Sequence, residues 1–73
     1  MGRYSKGEHV KFEVVSAQSG ESEWMWLLVD RSDDDRKVVF GRLDSQPIVM
    51  TDMQLGQELA VSYDNVRESR TFN

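Results

Sequence analysis

His9 is the only histidine among the 73 residues. A lone imidazole does acid–base work only beside a nucleophile and an orienting group. No such set is legible around it, so His9 reads as a polar residue on the outer face of a strand. Asp33, Asp34 and Asp35, with Asp30 close by, invite a calcium reading. A calcium loop of the helix–loop–helix type needs spaced carboxylates, a glycine at its sixth position and a distal glutamate. The run Asp33-Asp34-Asp35-Arg36 has none of that spacing and reads as a solvated hairpin tip. Glu21 and Glu23 are two apart and share one face of a strand. Paired carboxylates do catalysis when desolvated side by side, and a loop–strand junction leaves both in water. Gly20, Gly41 and Gly56 are not spaced as a phosphate loop, and no Lys-Ser/Thr follows them. The sequence therefore predicts no catalytic residue, no metal site, no cofactor and no small-molecule substrate.

Trp24 and Trp26 are the remaining candidates. They lie in Trp24-Met25-Trp26-Leu27-Leu28-Val29, six consecutive apolar residues flanked by charge and too short for a membrane span. As a strand, this run has Trp24, Trp26 and Leu28 on one face and Met25, Leu27 and Val29 on the other. Aromatic residues stack on bases in single-strand binders, but those sites line basic grooves. Tryptophan is also enriched at protein-interface hot spots. The predicted interface is Trp24 or Trp26 with an acidic rim of Asp30, Asp33, Asp34, Asp35 and Asp44.

The elements that position these residues follow from alternation. His9-Val10-Lys11-Phe12-Glu13-Val14 has period two and predicts a half-buried first strand. Ser16 to Ser22 is rich in turn formers, with Gly20 suited to positive φ. The second strand is expected from about Ser22 to Arg31, the third over Lys37–Leu43, and the last over Gln57–Tyr63. Gly41 inside the third predicts a bulge, a bend or a close approach. Pro47 breaks the chain before a short extended Ile48-Val49-Met50. Thr51 to Gly56 suggests one helical turn capped by Thr51, and Asp64 to Glu68 a second with Asn65 as its cap. Residues 1–7 and 69–73 are expected to fray. Core candidates are Val10, Phe12, Val14, Trp24, Trp26, Leu28, Val38, Phe40 and Leu43. Ile48, Met50, Met53, Leu55, Leu59, Val61, Tyr63 and Val66 complete the set.

These elements predict one domain over residues 1–73 with an ordered core at about 8–68. The fold class is mostly β: a small antiparallel SH3-like barrel, or a strongly bent sheet, of about five strands with one or two helical turns. A strand apolar on both faces demands either closure or a partner.

Nine Lys and Arg against thirteen Asp and Glu give a net charge of −4. That disfavours phosphate-backbone binding and anionic membranes. With no cysteine, disulfides and thiolate metal sites are excluded, and a reducing compartment is favoured. Met1 to Lys6 carries no apolar signal region, and Lys6 breaks the myristoylation pattern, so the expectation is cytoplasmic.

The order of signals resembles the YegJ-like family of small bacterial domains of unknown function. Glu23-Trp24-Met25-Trp26-Leu27-Leu28-Val29, Gly41-Arg42-Leu43 and Asp44-Ser45-Gln46-Pro47 fit its first three motifs. Met53-Gln54-Leu55-Gly56, the strand to Val61, and Asp64-Asn65-Val66 fit the rest. Ser45 stands where the family has Asn, and Arg67-Glu68-Ser69 replaces its acidic-aromatic close. The resemblance spans about Gly7 to Glu68 and implies a compact bacterial β domain with no established activity or cofactor. Two functions follow as expectations. The first is a non-catalytic module that binds another protein or itself. The alternative is a small-barrel nucleic-acid binder using Arg31, Arg36, Lys37 and Arg42.

Overall fold

A computed structural model describes residues 2–48 and 52–71, and the alternating segments of the sequence are its strands. They are β1 (His9–Val15), β2 (Ser22–Asp33), β3 (Val38–Leu43), β4 (Glu58–Ser62) and β5 (Val66–Arg70). All pair antiparallel in one sheet of order β4-β3-β2-β1-β5. Val49, Met50 and Thr51, with the cap role expected of Thr51, lie outside the described residues, as do Met1, Phe72 and Asn73.

The strand order bends the sheet. Four spacings of about 4.8 Å would put the edge strands of a flat sheet about 19 Å apart. The link between them is a single 3-10 turn, Tyr63–Asn65. At about 2 Å per residue such a turn spans under half of that gap. The sheet therefore curls, and Val61 of β4 and Phe12 of β1 meet in one core cluster. β4 and β5 remain the two edges and share no ladder, so the sheet is bent but not closed.

The core is built from Tyr4, Val10, Phe12, Met25, Leu27, Val29, Val39, Leu43 and Val61. Val14, Met53, Leu59, Tyr63 and Val66 pack against it half-buried. On β2 the Met25–Leu27–Val29 face points inward, so the expected core role of Trp24, Trp26 and Leu28 is corrected. The hairpin sets this parity, because Val10 pairs with Leu27 and Phe12 with Met25. On β3 it is Val39 that is buried, and Val38 and Phe40 lie half-buried on the outer face. Ile48 and Leu55, also expected inside, are 80% and 58% exposed.

The second strand runs two residues beyond the expected Arg31. Its register slips between Val29 and Arg31, opposite Gly41 and Phe40. The extra residue, Asp30, reverses the strand's parity. Past it, Ser32 packs on the inner side while Arg31 stays outside with Phe40. Gly41 is what permits this, because a Cβ there would overlap the Leu28 carbonyl oxygen.

Among the described residues, the segments expected to fray are tied down at both ends. Tyr4 is buried, its N–H donates to Ser32 Oγ at 3.0 Å, and that hydroxyl donates back to the Tyr4 carbonyl at 2.8 Å. At the other end, β5 pairs with β1 as far as Arg70. The expected helical turn before Gly56 is a simple turn, with the Gln57 N–H donating to the Gln54 carbonyl and Gly56 at φ +86°. The second expected turn is the 3-10 turn Tyr63–Asn65, capped by Ser62 Oγ rather than Asn65, and Glu68 belongs to β5.

Candidate functional site

With one face of β2 filling the core, its other face meets solvent. Trp24 is 46% exposed there, and Trp26 and Leu28 are half-buried. Register fixes their neighbours on β1: Glu13 lies opposite Trp24, Lys11 opposite Trp26 and His9 opposite Leu28. Arg70 of β5 lies beside His9. Lys11 Nζ sits 5.6 Å from the Trp24 ring and 6.0 Å from the Trp26 ring. The Arg70 guanidinium is 5.6 Å from the Trp26 ring and also pairs with Glu68. A cation over an indole face is worth about 0.5–1 kcal/mol at exposed sites, a modest bias toward these ring orientations. Val15, 59% exposed, lies diagonally across the β1–β2 pair from Trp24. The Ile48 N–H donates at 2.8 Å to Glu23 Oε2, on the Met25 side of β2.

Asp44 is the one member of the expected acidic rim beside this patch. Its N–H donates to the Trp26 carbonyl, and its carboxylate lies 2.7 Å from His9 Nε2. The His9–Asp44 contact ties β1 to the residue following β3. Asp33, Asp34 and Asp35 lie elsewhere, while Asp30 sits on the outer face two residues past Leu28. Asp30 is the bulge residue and faces Arg42 at 4.0 Å. Asp33 Oδ1 accepts from the N–H groups of Asp35 and Arg36 and shapes the β2–β3 hairpin. Asp33 is nine residues along β2 from Trp24, about 30 Å for a straight strand. The acids therefore fall into two sets, Asp30 and Asp44 on the outer face and Asp33 to Asp35 at the hairpin, and do not ring Trp24.

Asp34 joins a constellation that sequence reasoning missed. It accepts from Tyr63 Oη at 2.7 Å and from the Arg3 N–H at 2.9 Å. Tyr63 stacks edge-on against Tyr4, with ring centroids 5.2 Å apart, and the Arg3 guanidinium lies over both rings. The Tyr63 hydroxyl, then the Arg3 amide, hold the Asp34 carboxyl below its ordinary pKa. Partial withdrawal from water, and then Asp34 itself, push Tyr63 up. This cluster straps the N-terminal segment onto the acidic end of the sheet.

The basic residues expected for nucleic acid do not share a groove. Arg31 and Arg42 are on the outer face, whereas Arg36 and Lys37 belong to the hairpin. Among the described residues, no cluster of three or more His, Cys, Asp or Glu side chains could hold a metal. No described helix is long and apolar enough to cross a membrane. Sequence reading also missed Lys11 and Arg70 as partners of the tryptophans. The alternation of β1 places Lys11 on the outer face, but only the pairing register puts it over the indoles. Comparison of the chain with protein-family models, curated proteins and solved structures finds no match.

Proposed function

We propose that this chain is a non-catalytic interaction module that engages another polypeptide with the outer face of β2, around Trp24. One observation carries the reading. An indole sits 46% exposed on a strand whose opposite face is wholly committed to the core. Fold integrity does not require a tryptophan there, since Met25, Leu27 and Val29 supply the packing. Exposed tryptophan is the kind of residue that anchors interfaces. An SH3-like arrangement fits the strand order and the 3-10 link between the edge strands. The YegJ-like relationship belongs to the same reading and rests on motif order.

The experiment is capture of binding proteins by the wild-type chain beside Trp24→Ala, with sedimentation to detect self-association. The variant retains the wild-type unfolding transition and loses the captured partner. Retention of every wild-type partner by a folded Trp24→Ala chain overturns the proposal. The nucleic-acid alternative draws on Lys11, Arg31 and Arg70 lying over aromatic rings. Carboxylates interleave with them, and absence of a mobility shift with single-stranded oligonucleotides at low salt removes it.

A further inference from the structure

A second surface, separate from the outer face around Trp24, is the free edge of β4. The ladder with β3 uses every other residue of that strand. The Leu43 N–H donates to the Gln57 carbonyl at 2.8 Å, and the Tyr63 N–H donates to the Lys37 carbonyl at 2.9 Å. With Arg42 opposite Glu58 and Val38 opposite Ser62, these bonds fix the alternation. Leu59 and Val61 turn their N–H and C=O groups toward β3, whereas Glu58, Ala60 and Ser62 turn theirs away from it. No strand among the described residues pairs with that side. The two edges of the sheet differ in protection. β5 carries Arg67, Glu68 and Arg70, charges of the kind that keep an edge from pairing with another chain. β4 reads Glu58-Leu59-Ala60-Val61-Ser62, with one charge at its start and no lysine, proline or bulge. Its inner side borders an apolar hollow of about 290 Å³ with Val14, Val15, Met53, Leu59 and Val61 in its wall.

We propose that this edge pairs antiparallel with the β4 edge of a second copy of the chain, about a two-fold axis at Ala60. The strand is self-complementary in that register. A two-fold pairing of this kind centres on a residue whose backbone groups point outward, and Ala60 is the middle one of three. Its N–H and C=O meet those of Ala60 in the second copy, and Glu58 exchanges both bonds with Ser62. Every outward N–H and C=O of the edge is then used. Glu58 faces a serine rather than another acid, so no like charges stand directly opposite. On the inner side Leu59 lies opposite Val61 of the second copy, in the closer, non-hydrogen-bonded kind of pair, and adds apolar surface beside the hollow. On the outer side Ala60 is exposed, and its methyl group is small enough to stand against its own copy. Five residues a side put the contact at the low end of interface sizes, so the dimer assembles with concentration and dissociates on dilution. A net charge of −4 on each copy opposes association and is screened by salt, so the dimer strengthens as ionic strength rises.

Sedimentation of the whole chain should show monomer passing to dimer between about 10 μM and about 1 mM, the span of a weak interface. Amide chemical shifts followed over the same range should move most at Glu58, Ala60 and Ser62. The chain has no cysteine, so a single one at the axis reports the pairing. In a hydrogen-bonded antiparallel pair the two Cα atoms are about 5.5 Å apart. That lies inside the disulfide range of about 4.4–6.8 Å. Under oxidised glutathione, Ala60→Cys should form a covalent dimer about tenfold or more faster than Ser69→Cys on the charged β5 edge, because pairing raises the local thiol concentration. Ala60→Lys sets like charges face to face and should abolish the dimer, although it makes the chain less acidic overall. Each of these substitutions changes an exposed side chain, so the unfolding transition stays close to that of the wild type. Trp24→Ala keeps the dimer. A monomer at every concentration, equal trapping at Ala60 and Ser69, or a dimer that survives Ala60→Lys overturns the inference. If Trp24→Ala dissociates the dimer while Ala60→Lys does not, copies meet through the outer face of β2, and the edge pairing falls while the interaction face stands.

Discussion

At the scale of single residues, β2 divides its labour between its two faces. Met25 fills the core, with no exposed surface. Met25→Ala should lower stability by about 2–5 kcal/mol, the range for a large core side chain cut to alanine, read from chemical denaturation. Trp24→Ala should stay within about 1 kcal/mol, because its loss opens no cavity. The Asp34–Tyr63 pair predicts how stability depends on pH. Asp34 titrates below its ordinary value in the fold. Its contribution is therefore complete above the ordinary carboxylate range and is lost as pH falls through the lowered value. Tyr63 titrates above its ordinary value, so its contribution is complete below about pH 10 and is lost as pH rises through the raised value. Tyr63→Phe should flatten the stability profile at both extremes, and an unchanged acid limb would show that the hydroxyl does not hold Asp34.

At the scale of elements, the bulge between β2 and β3 is the joint on which the outer face depends. Gly41→Ala would force its Cβ against the Leu28 carbonyl. The expected loss is about 1–3 kcal/mol from overpacking, with the largest amide shift changes at Val29, Asp30 and Arg31. Much at this scale was legible in the sequence. Period two located β1 and β4, the unbroken apolar run located β2, and Gly41 announced the irregularity in β3. The core face of β2 was not legible, because both of its faces are apolar and the larger tryptophans look like the better filling. Only the hairpin register decides, and a shift of one residue would have turned the indoles inward. β5 was hidden for another reason. Val66-Arg67-Glu68-Ser69-Arg70 has one apolar residue, and its strand state comes from pairing with β1 rather than from its own pattern. The candidate site was half legible: Trp24 and Trp26 stood out, but the cations come to lie over them only once strands pair.

At the scale of the whole molecule, the bend concentrates different chemistry at different places. The exposed apolar side chains of Val15 and Trp24 lie where β1 and β2 meet their hairpin, and the acids Asp33, Asp34 and Asp35 gather at the far end of β2. β5 is the strand that keeps this arrangement together, for it pairs with β1 and brings Val66 onto the core. A chain ending at Asn65 should lose the cooperative unfolding transition seen by calorimetry. It would uncover one side of β1 and part of Phe12, and a domain of this size has little stability to spare.

The same ladder also sets a time order. His9 pairs with Arg70, 61 positions later in the chain. During synthesis the hairpins of β1, β2, β3 and β4 can form as each strand emerges, since every one of them meets a neighbour in sequence. β1 then waits with an open edge until its last partner has been made. An open strand edge is a template for the wrong strand. The charges of β5 and the lysine and glutamate of β1 thus serve nascent chains as well as finished ones, by discouraging pairing between copies during that interval.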